Sequence, residues 1–288
     1  MNASEASISV LIPAFNEEGA IASTLHALAE LRPQFADMQV IVINDGSTDR
    51  TGEIARSQGA NVIEHQQNRG YGAALKAGLH RARFDFIVIA DADGTYPLAD
   101  IPKLVSEMSD HDMIVGARSG KIVQVPLLRR PGKWMITRLA MYLSHQHIPD
   151  LNSGLRVFRK DVALRFLPLY PDGFSFTTTI TLAMLTNAYR VKFVPINYLT
   201  RIGKSSIHPV RDFMNFIILI IRICAFFKPL NVFTPPALTL LVLGLVKGTI
   251  DYTRQGHLGL LGVSMALTGL QMLFIGLLAD LIDQRMKL

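Results

Sequence analysis

Two long apolar segments near the end of the chain restrict most strongly how this protein can fold. Residues 232–250 and 258–282 are each long enough to cross the hydrocarbon core of a bilayer, for which a helix needs roughly 20 apolar residues. The stretch 229–279 contains only three charged side chains, Lys247, Asp251 and Arg254. We therefore predict two transmembrane helices, and a soluble helical bundle is the alternative that the same pattern permits.

The two segments are expected to form an antiparallel hairpin with both ends in the cytosol. Pro235 and Pro236 suit the start of the first helix, and only residues 251–257 separate the two segments. Basic residues are slightly more frequent outside the hairpin (Arg222, Lys228, Arg285 and Lys287) than near its connecting loop (Lys247 and Arg254). We predict an integral membrane protein whose front part, which shows no signal-peptide pattern and no disulfide framework, stays in the cytosol.

The first two hundred residues alternate short apolar runs with segments of helical spacing. The apolar runs are mostly rich in Ile and Val and bounded by Gly, Pro, Asn or Asp, as buried strands are. They cover residues 8–15, 40–45, 61–65, 84–91, 113–118 and 190–201. Helical spacing covers residues 17–31, 48–58, 72–81 and 100–108. This alternation predicts an α/β fold with a mostly parallel sheet flanked by helices, in which ligands bind beyond the carboxyl ends of the strands.

The charged residues are sorted by sign along the chain. Residues 1–112 contain 8 basic and 16 acidic residues, residues 113–228 contain 17 and 4, and the last 60 residues contain 4 and 3. The three net charges are therefore −8, +13 and +1, within a total of +6. A basic block beside apolar segments favours a surface near anionic lipid head groups, and an ordinary solubilising face is the alternative. With 49% hydrophobic and 18% charged residues, the chain is not a disordered nucleic-acid-binding tail.

A third kind of segment connects the front part to the hairpin. Residues 213–227 form an apolar run that is too short to span a bilayer and is interrupted by Arg222. In a helix, Arg211, Asn215 and Arg222 lie on one side, which predicts an interfacial amphipathic helix over residues 210–228. A buried core helix is the alternative. We therefore expect a cytosolic domain over residues 1–209 and a transmembrane hairpin over residues 229–288.

Asp91 and Asp93 are the strongest local chemical signal. They follow an apolar strand and are separated by one residue, so both carboxylates can reach one divalent cation. Hard cations such as Mg²⁺ or Mn²⁺ prefer oxygen ligands and often bridge a carboxylate to a diphosphate. The alternative is a polar turn closed by Gly94.

Polar segments also follow the first three predicted strands. Residues 12–18 and 43–49 place acidic and amide groups at strand ends, where Glu17 and Asp45 are suited to holding a base or a ribose. Residues 68–74 partly match a dinucleotide-binding fingerprint. Leu75 stands where the third glycine is required and no acidic ribose partner follows in a suitable strand, so we reject a Rossmann site.

Taken in order, these motifs resemble those of the family 2 glycosyltransferases of GT-A fold. In closer detail they resemble the polyprenyl-phosphate sugar transferases, the group that contains dolichol-phosphate mannose synthase, over about residues 8–212. The resemblance implies that Asp91 and Asp93 are the catalytic pair that holds the metal and the diphosphate, and that residues 150–156 form the acceptor-side segment. It also implies nucleotide-sugar contacts at Pro13, Phe15, Glu17, Ile43, Asp45, Ala90, Ala92 and Arg118.

Two positions depart from the pattern of these relatives. Thr95 stands where many of them have a glutamine that contacts the metal, which leaves Thr95 as the candidate for a third metal ligand. The late motif, usually R-x-G-x-S-K, reads Arg201-Ile202-Gly203-Lys204-Ser205-Ser206. Ser206 replaces the expected lysine, and Lys204 is the candidate to supply that charge.

The acceptor implied by the resemblance is a lipid phosphate. This group is already ionised at neutral pH, so its attack on the anomeric carbon, with inversion, needs no strong general base. The site needs cations instead, and the forked Arg side chain suits phosphate especially well. The candidate cations are Arg129, Arg130, Lys133, Arg138, Arg201 and Lys204, and Ser205 is a further candidate for contact with the acceptor phosphate.

We therefore expect an enzyme that transfers a hexose from a GDP- or UDP-linked sugar to polyprenyl phosphate at the cytosolic membrane face. Its expected partners are the nucleotide-sugar, polyprenyl phosphate and the bilayer, with self-association left open and no nucleic acid. The alternatives are a family 2 glycosyltransferase with a saccharide acceptor and an inactive scaffold that binds nucleotide-sugar. A polysaccharide synthase is disfavoured because the only tryptophan, Trp134, is not in a Q-x-x-R-W signature. The intact Asp91 and Asp93 disfavour the scaffold.

Overall fold

The computed structural model describes residues 2–119, 137–138, 140–142, 145–173, 175–197, 218, 221, 225–226 and 228–286. Its strands are β1 (Ser7–Ala14), β2 (Asp37–Asn44), β3 (Asn61–Glu64), β4 (Phe86–Ile89), β5 (Met113–Ser119), β6 (Arg156–Arg159) and β7 (Val191–Asn197). The helices of the same region are α1 (Ile21–Leu31), α2 (Thr51–Ser57), α3 (Tyr71–Arg81), α4 (Ile101–Ser106), α5 (Lys160–Arg165) and α6 (Phe176–Thr186). Two long helices follow, α7 (Pro229–Gln255) and α8 (Leu260–Met286).

The described strands form one mixed sheet in the order β3-β2-β1-β4-β6-β5-β7. β1 pairs in parallel with both β2 and β4, and β5 pairs in parallel with β7. Only β6 is reversed, since it is antiparallel to β4 and to β5. The predicted mostly parallel α/β sheet is confirmed, and β6 is the strand that the sequence pattern did not reveal.

Helices cover both faces of this sheet. Strand β1 sends alternate apolar side chains to opposite sides, and each side is buried in its own core. Leu11 packs in a core with Leu75 and Leu79 of α3, whereas Val10 and Ile12 belong to a second core with the apolar side of α1. All of these side chains are buried. The parallel arrangement brings the carboxyl ends of β1, β2 and β4 to one edge of the sheet, where the loops that follow them meet.

The C-terminal helices pair along their length as an antiparallel hairpin. Among the residues that the structure describes, two helices are long and apolar enough to cross a membrane, over Pro229–Gln255 and Leu260–Ile282. Only 17% of each apolar window is buried, and Leu245 and Leu260 are exposed by 66% and 83%. A soluble bundle would cover such side chains, so the exposed surface favours the membrane interpretation.

The first hairpin helix begins earlier than predicted. Pro229 is in its first turn, and Pro235 and Pro236 lie inside the helix rather than at its start. Proline has no backbone N–H, so Pro235 and Pro236 cannot donate the usual helical hydrogen bonds to the preceding turn. One turn later, the Thr239 hydroxyl donates to the Pro235 carbonyl at 2.9 Å.

Small residues allow the two hairpin helices to approach closely. A Cβ atom placed on Gly244 would lie 2.6 Å from the backbone nitrogen of Ala266, and one on Gly262 would lie 2.9 Å from that of Gly248. Such contacts are typical of helix pairs in lipid, where close packing replaces the hydrophobic effect. The predicted interfacial helix over 210–228 falls largely outside the described residues. Within that range the structure describes residues 218, 221, 225–226 and 228, and the first four of these are helical.

Candidate active site

Asp91 and Asp93 lie just beyond β4 and line a cavity of about 340 Å³ at the carboxyl edge of the sheet. Seven of the predicted site residues meet there, namely Pro13, Phe15, Glu17, Asp45, Asp91, Ala92 and Asp93. Tyr71 of the 68–74 motif and Asn152 and Gly154 of the acceptor-side segment also line it, together with Gly173 and Thr177, which no sequence motif included. A second cavity of about 270 Å³ involves Leu25, Asp37 and Asn61, at the opposite edge and remote from the paired carboxylates.

The loops after β1 and β2 are locked together on one side of this cavity. Asn16, with a left-handed φ of 55°, accepts a hydrogen bond from the Thr48 backbone at 2.8 Å and donates its own backbone N–H to the Ser47 hydroxyl at 3.0 Å. The backbone N–H of Glu17 donates to the Thr51 hydroxyl at 2.9 Å. This network holds Phe15, which is 44% exposed, at the cavity wall, where an aromatic face is available for stacking.

Asp45 is buried and organises the neighbouring loop. Its carboxylate accepts hydrogen bonds from the backbone N–H groups of Arg69 and Gly70, at 3.0 and 2.8 Å, and contacts His65 Nδ1 at 2.6 Å. Gly70 has a φ of +99°, a conformation that L side chains rarely adopt. Asp45 therefore holds the turn that leads into α3.

The glycine-rich turn at α3 is filled by the chain itself. The N–H of Gly72 donates to the Gly173 carbonyl at 3.1 Å, and that of Ala73 donates to the Asp172 carbonyl at 3.0 Å. A Cβ on Gly72 would lie 2.0 Å from the Pro171 carbonyl oxygen. These glycines admit the loop at 171–173 rather than a pyrophosphate, which agrees with the rejection of a Rossmann site.

Asp91 is supported from two sides. The Tyr71 hydroxyl donates to its Oδ1 at 2.9 Å, and a Cβ on Gly154 would lie 2.4 Å from its Oδ2. Burial raises the pKa of Tyr71 well above its ordinary value, and the negative charge of Asp91 raises it further. Tyr71 therefore stays protonated and remains a donor. Tyr96 holds the facing backbone, because its hydroxyl oxygen accepts the N–H of Gly154 at 2.7 Å.

Asp93 is held from behind by Thr95. The Thr95 backbone N–H and hydroxyl both donate to Asp93 Oδ1, at 3.1 and 2.6 Å. Thr95 is fully buried and is not among the lining residues of the cavity. Thr95 thus orients the second aspartate, and its role as a third metal ligand stays a prediction.

The two aspartates suit a divalent cation, with a restricted set of protein ligands. Their carboxylate oxygens are the hard ligands that Mg²⁺ and Mn²⁺ prefer. Among the described residues, no group of three or more His, Cys, Asp or Glu side chains is placed to hold a metal. Asp91 and Asp93 therefore fit a cation that takes its other ligands from substrate phosphate or water, as Mg²⁺ often does in phosphate sites.

Three predicted nucleotide contacts do not line the cavity. Ile43 and Ala90 are fully buried in the core, so their side chains do not face it. Arg118 instead forms a fork with Asp150, with Nε to Oδ2 at 2.6 Å and Nη2 to Oδ1 at 2.8 Å. The structure thus ties Arg118 to the acceptor-side segment rather than placing it at the cavity surface.

The acceptor-side segment reaches the cavity through its middle. Asn152 and Gly154 line the cavity, and the Thr178 hydroxyl donates to Asn152 Oδ1 at 2.7 Å. Of the predicted acceptor-phosphate residues, only Arg138 belongs to the described part of the chain, where it is exposed and helical. The others, Arg129, Arg130, Lys133, Arg201, Lys204 and Ser205, lie outside the described residues.

Two family models match this chain in succession. The model described as "Glycosyl transferase family 2" matches residues 9–166, and "GtrB C-terminal hairpin" matches residues 228–284. The first match covers more than half of the chain. The chain belongs to glycosyl transferase family 2. The expected family and enzyme class are confirmed, and the hairpin match agrees with α7 and α8.

Individual relatives agree with this assignment. The chain is 34% identical to the dolichyl-phosphate hexose transferase of Haloferax volcanii over 204 residues, covering 70% of this chain and 87% of that one. It is 30% identical to the low-salt glycan biosynthesis hexosyltransferase Agl6 of the same organism, covering 93% and 67%. Glucosyl-3-phosphoglycerate synthase from Mycobacterium tuberculosis, in complex with Mn²⁺, UDP-glucose and phosphoglyceric acid, is similar in structure. Its TM-score is 0.60 at 21% identity, over 76% of this chain and 80% of that one, which supports the GT-A fold.

Proposed function

We propose that this family 2 glycosyltransferase transfers a hexose from a nucleotide-sugar to polyprenyl phosphate at the cytosolic face of a membrane. The observation that carries the proposal is the position of the hairpin beside the acceptor-side segment. Asn231 Nδ2 of α7 lies 3.0 Å from His145 Nε2, and Val232 packs against the core that contains Ile148 and Leu151. The apolar hairpin thus contacts the chain just before the acceptor-side segment and packs against the core that includes Leu151 of that segment.

The donor side of the proposal rests on the lining of the cavity. Phe15 offers an aromatic face for a base, and Glu17 and Asp45 offer carboxylates near the place where a ribose would lie. Asp91 and Asp93 would hold a Mg²⁺ or Mn²⁺ ion, which neutralises negative charge on a departing nucleoside diphosphate. Tyr71 and Thr95 keep the two carboxylates oriented before substrate binds.

The acceptor side needs positive charge rather than a base. The lipid phosphate is the nucleophile, and the departing diphosphate leaves from the opposite side of the anomeric carbon, so the configuration inverts. Arg129, Arg130, Arg201, Lys204 and Ser205 are the proposed acceptor contacts. The dolichyl-phosphate hexose transferase of Haloferax volcanii, named for such an acceptor, supports this choice over a saccharide.

A transfer assay on the full chain in membranes tests the proposal. Radiolabelled UDP-glucose, GDP-mannose and UDP-N-acetylglucosamine are each incubated with polyprenyl phosphate and Mg²⁺ or Mn²⁺, and the label that enters the organic phase is counted. We expect one donor to label the lipid. Asp93→Asn should reduce the rate at least about 100-fold, because one of two charged ligands is lost, whereas Asp110→Asn, at an exposed acid, should not change it.

The other outcomes point to the alternatives. Label in a water-soluble polymer or oligosaccharide would indicate a saccharide acceptor and contradict the lipid assignment. Binding of nucleotide-sugar without any transfer would indicate the inactive scaffold. Cysteines introduced in the loop at 256–258 test the orientation, because only an extracytosolic loop reacts with an impermeant thiol reagent from outside intact cells.

A further inference from the structure

Arg156, the first residue of β6, is a fully buried cation directly behind the candidate active site. Its guanidinium donates to the Thr177 carbonyl at 2.9 Å, to the Thr181 hydroxyl at 3.0 Å and to the Ser153 carbonyl. These acceptors are all neutral. Within the part of the chain that the structure describes, Arg156 Nε has no hydrogen-bond partner. A positive charge is therefore held out of water without a hydrogen-bonded carboxylate. This burial costs desolvation free energy, so the residue is a candidate for a functional role.

Two carboxylates act on this charge through space. Burial lowers the pKa of Arg156, and neighbouring groups that include Asp150 and Asp91 act in the opposite direction. A guanidinium nevertheless stays protonated in proteins. Asp150 already forms the fork with Arg118, and Asp91 is at the cavity. The buried charge of Arg156 therefore interacts electrostatically with the place where metal and diphosphate are proposed to bind.

Arg156 also fixes the backbone that faces Asp91. The carbonyl of Ser153 and the N–H of Gly154 belong to one peptide unit. Arg156 donates to the carbonyl end, and the Tyr96 hydroxyl accepts from the N–H end at 2.7 Å. Gly154 is the residue whose Cβ would lie 2.4 Å from Asp91 Oδ2. The peptide unit is therefore clamped at both ends against the first aspartate.

We propose that Arg156 is a positioning residue that sets the electrostatic balance of the site. It clamps the peptide unit at 153–154 against Asp91, and its charge weakens the binding of a bare divalent cation while strengthening the binding of a nucleoside diphosphate. The cation is then retained mainly together with the nucleotide. This inference rests on the proposed function, since it assumes that both ligands bind at Asp91 and Asp93.

The test measures the two ligands separately on the full chain in detergent micelles. Mn²⁺ alone is titrated by electron paramagnetic resonance, and UDP and GDP are each titrated by calorimetry in EDTA. In Arg156→Met, which keeps the volume but removes the charge, we expect Mn²⁺ to bind about tenfold more tightly and the nucleotide about tenfold more weakly. Thr181→Val removes the hydroxyl that accepts from Arg156 and donates to the Thr177 carbonyl, but it keeps the charge, so both affinities should stay within about twofold.

Shifts of opposite sign distinguish this role from a structural one. If Arg156→Met lowers the affinities for both Mn²⁺ and nucleotide, or changes neither affinity, the proposal is overturned. If Arg156→Met does not fold, Arg156→Lys decides, because it retains the charge with a different hydrogen-bond geometry. Both affinities within about threefold of the wild type support the proposal, and a larger loss of nucleotide binding in a folded Lys variant overturns it. If the wild type binds neither UDP nor GDP with Mn²⁺ present, the proposed function fails first.

Discussion

Helix α6 of the sheet domain and helices α7 and α8 of the hairpin are all apolar, but their surroundings differ. Every residue of α6 is buried, including four threonines within 177–181, and the hydroxyls of Thr178, Thr179 and Thr181 donate to nearby carbonyl and amide oxygens. The hairpin helices bury only 17% of their apolar windows. The sheet domain therefore satisfies buried polar groups internally, whereas the hairpin presents its apolar side chains outward to lipid.

Each of the two regions also contains an ion pair, and the two pairs have different structural roles. Arg118 and Asp150 meet in a two-pronged fork at the acceptor-side segment, with side chains 18% and 4% exposed. Lys247 and Asp251 pair one turn apart on α7, next to the connection between the hairpin helices. A Cβ on Gly259 would lie 2.2 Å from Asp251 Oδ2, so this carboxylate fills the turn of the hairpin. One pair fixes a loop at the site, and the other fixes the hairpin turn.

The largest effect on stability is expected from breaking the pair in the sheet domain. Asp150→Asn leaves the Arg118 guanidinium without its charged fork partner, and we expect a loss of about 3 kcal/mol in the free energy of unfolding of the sheet domain. Urea unfolding in detergent measures it. Asp251→Asn, at the hairpin pair, should change that transition by less than about 0.5 kcal/mol. Equal losses in the two variants would show that the two regions unfold as one unit.

Glycines that permit close approach give a second contrast. In Gly154→Ala the methyl group must displace Asp91, and because a displacement of about 1 Å can cost about 100-fold, we expect a loss of that size in transfer rate. The fold should persist. Gly19→Ala is the matched control, since a Cβ there meets nothing within 4 Å. A normal rate for Gly154→Ala would mean that the position of Asp91 is not critical.

The corresponding change in the hairpin should leave the site intact. In Gly244→Ala the added methyl group meets the backbone of Ala266, so the helices must separate, and we expect about 2 kcal/mol of destabilisation of the hairpin. Reversible hairpin unfolding in mixed micelles measures it, with Leu245→Ala at an exposed position as the control. Loss of Mn²⁺ binding in detergent would contradict the independence of the two regions.

The smallest effect concerns a buried tyrosine of the sheet domain. Burial raises the pKa of Tyr170, while Arg156 acts in the opposite direction, and the hydroxyl donates to the Ala163 carbonyl at 2.9 Å. The unfolded chain releases this proton near pH 10 and the folded chain does not, so Tyr170 destabilises the fold as the pH rises above about 10. Tyr170→Phe should cost about 1 kcal/mol at pH 7 and make the loss above pH 10 less steep. Urea unfolding from pH 7 to pH 11 tests both expectations, and an unchanged slope would contradict the assignment.

Much of the sheet could be predicted, and the missed elements have physical reasons. The Ile- and Val-rich runs of β1, β2 and β4 predicted buried strands because parallel strands are covered on both faces. β6 has the sequence Arg156-Val157-Phe158-Arg159, in which flanking charges hide a buried strand. Helix α6 was missed because its run of threonines is a weak helix signal, and only burial between the sheet and the loops stabilises it.

The class of the fold, the aspartate pair, the hairpin and the family resemblance could be predicted from the sequence, because they depend on periodicity and on residues close together in the chain. Tertiary structure alone decided which distant residues meet. It placed Tyr71 and Gly154 at Asp91 and buried Arg156 behind the cavity. Such contacts join segments that are 20 to 65 positions apart in the chain, and no local pattern encodes them because they arise only when the strands take their order in the sheet.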